Sequence, residues 1–174
     1  MPLFIDGARL GYALTATGND VTLEDIARIA DVFYIGGTKV GAMFGEAVVF
    51  THGNMPKNFV TLVKQHGALL AKGWLLGVQF DTLFTDNLYC RIARRANDAA
   101  DRIREVLVKR GYTLTFDTPT NQIFITLDNE TSERLQRSVR LGFMEKADDT
   151  HTVMRICTSW ATTDEQVEQL ITLL

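Results

Sequence analysis

Two side chains have the types and the placement for covalent chemistry, a carboxylate at Asp6 and a primary amine at Lys39. Asp6 closes the apolar run Leu3-Phe4-Ile5, and Lys39 follows a second run, Val32-Phe33-Tyr34-Ile35, by way of Gly36-Gly37-Thr38. Such runs read as buried strands. If the two strands are neighbours, their backbones lie ~4.8 Å apart. With one helix between them, both side chains emerge at the carboxyl edge of one sheet, where open α/β sheets bind ligands. An amine and a carboxylate there can hold the two ends of a pyridine ring. The amine condenses with an aldehyde, and the acid keeps a proton on the ring nitrogen, which is the chemistry of pyridoxal phosphate. Spacing alone leaves a second reading equally open, with Asp6 capping a turn and Lys39 solvated in a loop.

The elements that must position this pair follow from pattern. Residues 3–6 are expected to form a fully buried strand. Thr22 is expected to cap a helix with acid in its first turn and Ile26, Ile29 and Ala30 on its apolar face. A second strand follows at 32–35, so that strand, helix and strand are the size of one βαβ unit, and a third is expected at 46–50 in the same parallel α/β piece. Asn54-Met55-Pro56 is expected to open a helix with Phe59, Leu62, Val63 and Leu70 at helical spacing. Helical character continues over 75–84, and a longer helix runs from Asp86 to a terminal glycine at Gly111. Beyond it the period changes. Tyr112, Leu114 and Phe116 alternate, strands are expected at 123–127, 141–145 and 153–157, and a helix at 131–139. A last helix starts at Thr162 or Thr163 with a capping box and buries Val167, Leu170, Ile171 and Leu174. This predicts a partial α/β domain over 1–85 and a small α+β domain over 86–174.

The residues around the pair carry a family resemblance. Phe4-Ile5-Asp6-Gly7-Ala8-Arg9-Leu10 resembles the Asp-Gly-Ala-Arg segment of threonine aldolases and related β-eliminating lyases. Tyr34-Ile35-Gly36-Gly37-Thr38-Lys39, followed by Gly41, resembles their lysine segment, and Met154-Arg155-Ile156-Cys157-Thr158-Ser159-Trp160 resembles their C-terminal arginine strand. Order and interval agree along the whole chain. The resemblance implies the C-terminal portion of a pyridoxal-phosphate enzyme of aspartate-aminotransferase-like fold: part of the large domain, then the small C-terminal domain. It implies Lys39 as the Schiff-base lysine, Asp6 on the pyridine nitrogen, Arg9 and Arg155 on the substrate carboxylate, and Thr38 or Arg9 as further cofactor contacts. Arg155 has independent support. Its neighbours Met154 and Ile156 face the other way along the strand, and a guanidinium in an apolar strand needs an anionic partner. That partner is a substrate carboxylate or, alternatively, a local acid.

The implied reaction is cleavage of β-hydroxy-α-amino acids such as threonine or allo-threonine to glycine and an aldehyde. Alternatives are another β-eliminating lyase or aminotransferase-like enzyme with the same cofactor, or an inactive fragment acting as a structural module. The family's phosphate-cradling loop and ring-stacking residue belong to an N-terminal half, so the chain reads as a fragment. It also departs from the pattern at Trp74, where relatives tend to have Arg, which weakens phosphate binding from the segment holding Lys64 and Lys72. The resemblance further implies homodimers or tetramers.

Composition narrows the rest. With 18 Lys+Arg against 21 Asp+Glu there is no basic footprint for nucleic acid or an anionic membrane. No apolar run approaches the ~20 residues of a membrane span, and Met1-Pro2-Leu3-Phe4-Ile5-Asp6 lacks the basic start and small-residue cleavage site expected of a signal peptide. Cys90 and Cys157 lack metal-ligand spacing and read as reduced core residues of a cytoplasmic protein. No metal site is expected. His52, His66 and His151 read as surface or packing residues.

Overall fold

The structure is a computed structural model and describes residues 1–174. The chain divides into two compact units, Met1–Leu14 with Asn19–Arg91, and Thr15–Gly18 with Ile92–Leu174. The division falls inside a long helix, a few residues beyond the boundary drawn at 85/86 from the sequence.

The first unit is built on a three-stranded sheet of β1 (Phe4–Ile5), β2 (Val32–Gly36) and β3 (Glu46–Phe50), in that order. Between β1 and β2 run the short helix α1 (Leu10–Leu14) and α2 (Leu23–Ile29). The second starts where expected. Thr22 accepts from the Asp25 N–H while the Asp25 side chain accepts from the Thr22 N–H, a complete capping box. β1 and β2 pair in parallel. β3 departs from the expected parallel arrangement and returns antiparallel to β2, because only a short loop joins them and a parallel return needs a crossover.

Several expectations about this unit are corrected. The first strand is not fully buried: Leu3 is 44% and Phe4 60% exposed. β1 pairs with β2 alone, so its other edge is open. Ile29 is 64% exposed, leaving Ile26 and Ala30 as the buried side of that helix. Asn54 opens no helix, since its amide donates to the Asp31 carbonyl. The helix α3 (Phe59–Gln65) starts after Asn58 instead, and α4 (Trp74–Phe84) follows.

The second unit packs helices on one face of a four-stranded antiparallel sheet. A 3-10 turn with Asp86 and Asn87 at positive φ leads into α5 (Leu88–Lys109), which begins later than Asp86 for that reason. The strands are β4 (Thr113–Leu114), β5 (Gln122–Asp128), β6 (Gly142–Lys146) and β7 (His151–Cys157), in the order β4-β5-β7-β6. Ala99, Ala100, Ile103 and Leu107 recur at helical spacing on α5 and meet Ile123, Ile125 and Leu127 of β5 and Met154 and Ile156 of β7. Burial of each large side chain stabilises the unit by roughly 1.5–3 kcal/mol. The helix α6 (Asn129–Gln136), capped by Asp128, adds Leu135. The helix α7 (Asp164–Leu173) adds Val167 and carries the expected capping box between Thr163 and Gln166. Cys157 is exposed rather than in the core. Two residues on from Arg155, it shares that residue's face of the strand and not the Met154 and Ile156 face.

Candidate functional site

The parallel pairing sets Phe4 beside Val32 and Ile5 beside Phe33. One step further, Asp6 lies beside Tyr34, and the Tyr34 hydroxyl donates to Oδ1 of Asp6. The Ala8 N–H donates to the same oxygen at 3.0 Å. These donors, Tyr34 first, hold the Asp6 carboxyl below its usual value of 3.8; the Lys39 charge adds to them and burial acts the other way. Asp6 is therefore an anion at neutral pH. The same contact pushes the Tyr34 phenol up to about 12, so it stays a protonated donor. Gly7 is required by packing. A Cβ there would lie 1.7 Å from the Tyr34 carbonyl oxygen. The Gly7 carbonyl in turn accepts the Gly36 N–H at 2.9 Å, stitching the Asp6 turn to the end of β2.

Lys39 lies in the turn between β2 and β3. The turn is held from within by Val40 and Ala42, whose N–H groups donate to the Gly37 carbonyl at 2.9 and 3.0 Å. From β3, Glu46 accepts the Gly37 N–H through Oε2 at 2.6 Å and the Thr38 hydroxyl through Oε1 at 3.5 Å. The buried Tyr12 donates its hydroxyl to the Lys39 carbonyl. The buried Tyr89 donates to the Gly36 carbonyl at 2.8 Å and accepts the Gly11 N–H at 3.1 Å. Burial pushes the Tyr89 phenol up, which keeps it a donor. Val40 is anchored in the core while the Lys39 side chain is exposed. Lys39 acts on Asp6 through its charge, but the two do not close into an ion pair.

Arg9 follows Asp6 in the same unit, half-buried, with its Nε buried and without a hydrogen-bond partner. Arg155 belongs to the second unit. Its Nη1 donates to Gln122 at 3.1 Å, and its Nε is likewise buried and unpartnered. No carboxylate of the chain pairs with either guanidinium, which removes the local-acid alternative for Arg155. A cavity of about 290 Å³ opens beside Arg155, lined also by Leu141, Thr158 and Gln166. A buried, unsatisfied guanidinium N–H costs about 1–3 kcal/mol or more, and an anionic ligand offsets that cost.

The first unit thus gathers Asp6, Thr38 and Lys39 with two residues that sequence reasoning missed, Tyr34 and Glu46. Tyr34 opens the lysine segment without a role of its own there, and Glu46 lies outside every motif. Their positions in the strands were the available signal, since Tyr34 sits one residue after the partner of Ile5 and Glu46 pairs with Gly36. His151, by contrast, is tied to Asp148 and Thr150 at a surface turn. Lys64, Lys72 and Trp74 are all exposed.

No family model matches the chain. It is similar to a low specificity L-threonine aldolase of Pseudomonas aeruginosa, 30% identical over 135 residues that make up 77% of this chain and 39% of that protein. Among solved structures, the threonine aldolase of Leishmania major superposes with a TM-score of 0.95 at 41% identity, over 99% of this chain and 51% of that one. A serine palmitoyltransferase solved with PLP, 14% identical, matches 99% of this chain and 46% of its own at a TM-score of 0.65, a likeness of fold alone. The chain spans about half the length of these proteins or less.

Proposed function

We propose that this chain, similar in sequence and fold to half of a threonine aldolase, is the lysine-bearing part of an enzyme that uses pyridoxal 5'-phosphate. The reaction is cleavage of β-hydroxy-α-amino acids, threonine or allo-threonine, to glycine and an aldehyde. The observation that carries this reading is the pair Asp6 and Lys39, an ionised carboxylate and an amine just beyond two paired parallel strands, coupled by charge without an ion pair. The unpartnered Nε atoms of Arg9 and Arg155 fit the anionic part of the ligand.

Lys39 would hold the aldehyde carbon of the cofactor, and Asp6 the proton on its ring nitrogen. When bound, the cofactor supplies an electron sink, because its protonated ring draws the pair left at Cα when the Cα–Cβ bond breaks. Thr38 would contribute a hydroxyl to the phosphate after turning from Glu46. Arg155 and Arg9 bind the substrate carboxylate, and a forked guanidinium fixes its plane as well as its position. Holding that plane orients the bonds at Cα, which is where such positioning lowers the barrier.

No helix is long and apolar enough to cross a membrane. The reading places the enzyme in the cytoplasm as a homo-oligomer. Support for association comes from Val60, Leu62, Leu69, Leu70, Trp74 and Val78, apolar side chains exposed in and between α3 and α4. Incubation with pyridoxal phosphate and threonine tests the reaction. Acetaldehyde and glycine in equal amounts are expected. Pyruvate or ammonia would mark an eliminating lyase, and no product with no cofactor absorbance would leave a structural module.

A further inference from the structure

We propose that Tyr34 is a positioning residue for Asp6: its hydroxyl, together with the Ala8 N–H, occupies Oδ1 and leaves Oδ2 to receive an N–H from a nitrogen heterocycle. This deepens the reading above and rests on it for the identity of the ligand.

The terminal torsion of an aspartate is broad, so a carboxylate at the end of a strand does not choose by itself which oxygen faces a ligand. Here the choice is made by two donors from different elements. The Ala8 N–H lies two residues downstream in the turn, and the Tyr34 hydroxyl comes from the neighbouring strand. Both converge on Oδ1, and no hydrogen bond of the chain reaches Oδ2. The phenol ring is itself placed by register, beside Asp6 in the parallel pairing, and the Phe4 ring lies 6.1 Å away, tilted by 38°. The charged groups around the pair are Lys39, acting on Asp6, and Glu46, acting on Tyr34. A phenol with its proton held so tightly remains a donor throughout the neutral range. Tyr34 therefore performs two tasks at Asp6, drawing its carboxyl further below the usual carboxylate range and keeping one oxygen directed away from the protein's own donors.

Tyr34→Phe tests this while keeping the ring against Phe4. In the cofactor-free protein, carbon NMR of the Asp6 carboxyl should show its titration midpoint rising in the variant. In parallel, binding is measured for pyridoxal phosphate and for its deaza analogue, in which a carbon replaces the ring nitrogen. Tyr34→Phe should weaken the first by roughly tenfold, the size of one hydrogen bond to a charged group, and leave the second unchanged. In an Asp6→Asn background the same substitution should have no further effect on either ligand. An unmoved Asp6 midpoint, or equal losses for both ligands, overturns the proposal. A wild-type protein that binds neither compound at Lys39 overturns the proposed function instead, and the carboxyl titration still decides whether Tyr34 governs Asp6.

Discussion

Glu46 accepts the Gly37 N–H at 2.6 Å, so the first residue of β3 holds the first residue beyond β2 and closes the turn that carries Lys39. With the Thr38 hydroxyl 3.5 Å from its other oxygen, one carboxylate spans the two residues before the lysine. Glu46→Ala should leave the β2 and β3 pairing intact while freeing this turn. Amide hydrogen exchange at Gly37 and Thr38 should speed up, with little change at Phe33 and Ile35. Unchanged exchange at Gly37 would show that the backbone bonds to Gly37 from Val40 and Ala42 suffice.

How much of this was legible depends on how local each cause is. Thr22 with Asp25 and Thr163 with Gln166 are capping boxes within four residues, and both helices start as expected. That Asp6 and Lys39 lie beyond two paired strands was legible, because Asp6 directly follows one apolar strand pattern and Lys39 follows the other through a short glycine-rich turn. Tyr34 and Glu46 were not, since their roles arise from register across the sheet, between residues 28 and 9 positions apart from their partners. Burial misled where it depends on neighbours: Phe4 is apolar enough for a core but lies on an edge strand, and Cys157 shares the strand face of Arg155. Asn54 before Pro56 has the look of a helix start, but its amide donates to the Asp31 carbonyl, and the helix begins only after Asn58, whose side chain makes no capping bond.

Gly7→Ala should be among the most damaging small substitutions in the first unit. The added carbon meets the Tyr34 carbonyl oxygen at 1.7 Å, a backbone atom that cannot swing away. Overpacking of this kind costs typically about 1–3 kcal/mol. In urea denaturation the midpoint should fall by a corresponding amount with an unchanged slope. A midpoint equal to wild type would mean that the Asp6 turn is not pinned to β2.

Arg155→Lys keeps the charge but loses the fork. If Arg155 holds the substrate carboxylate, the KM for threonine should rise roughly tenfold, the loss of one hydrogen bond to a charged group, with thermal stability little changed. An unaltered KM would assign the guanidinium to the Gln122 contact alone.

Asp148 supplies a pH-dependent contribution away from the site. The Thr150 hydroxyl and N–H, and then His151, draw its carboxyl down from 3.8 to about 2. A depressed acid stabilises the fold above its unfolded value, and the gain fades as pH falls from near 3.8 through about 2. Asp148→Asn should therefore flatten the acid limb of stability against pH in that window and leave the curve above pH 5 parallel to wild type. Parallel curves through the acid limb would contradict the assignment.

In the proposed site Lys39 is the amine that engages the cofactor aldehyde next to the Asp6 anion. Adding pyridoxal phosphate, reducing with borohydride and mapping the label by peptide mass tests this assignment. A stable phosphopyridoxyl group is expected on Lys39, and none on that peptide's counterpart in Lys39→Ala. Label spread over exposed lysines such as Lys57, Lys64 and Lys72, or no label at position 39, would contradict it.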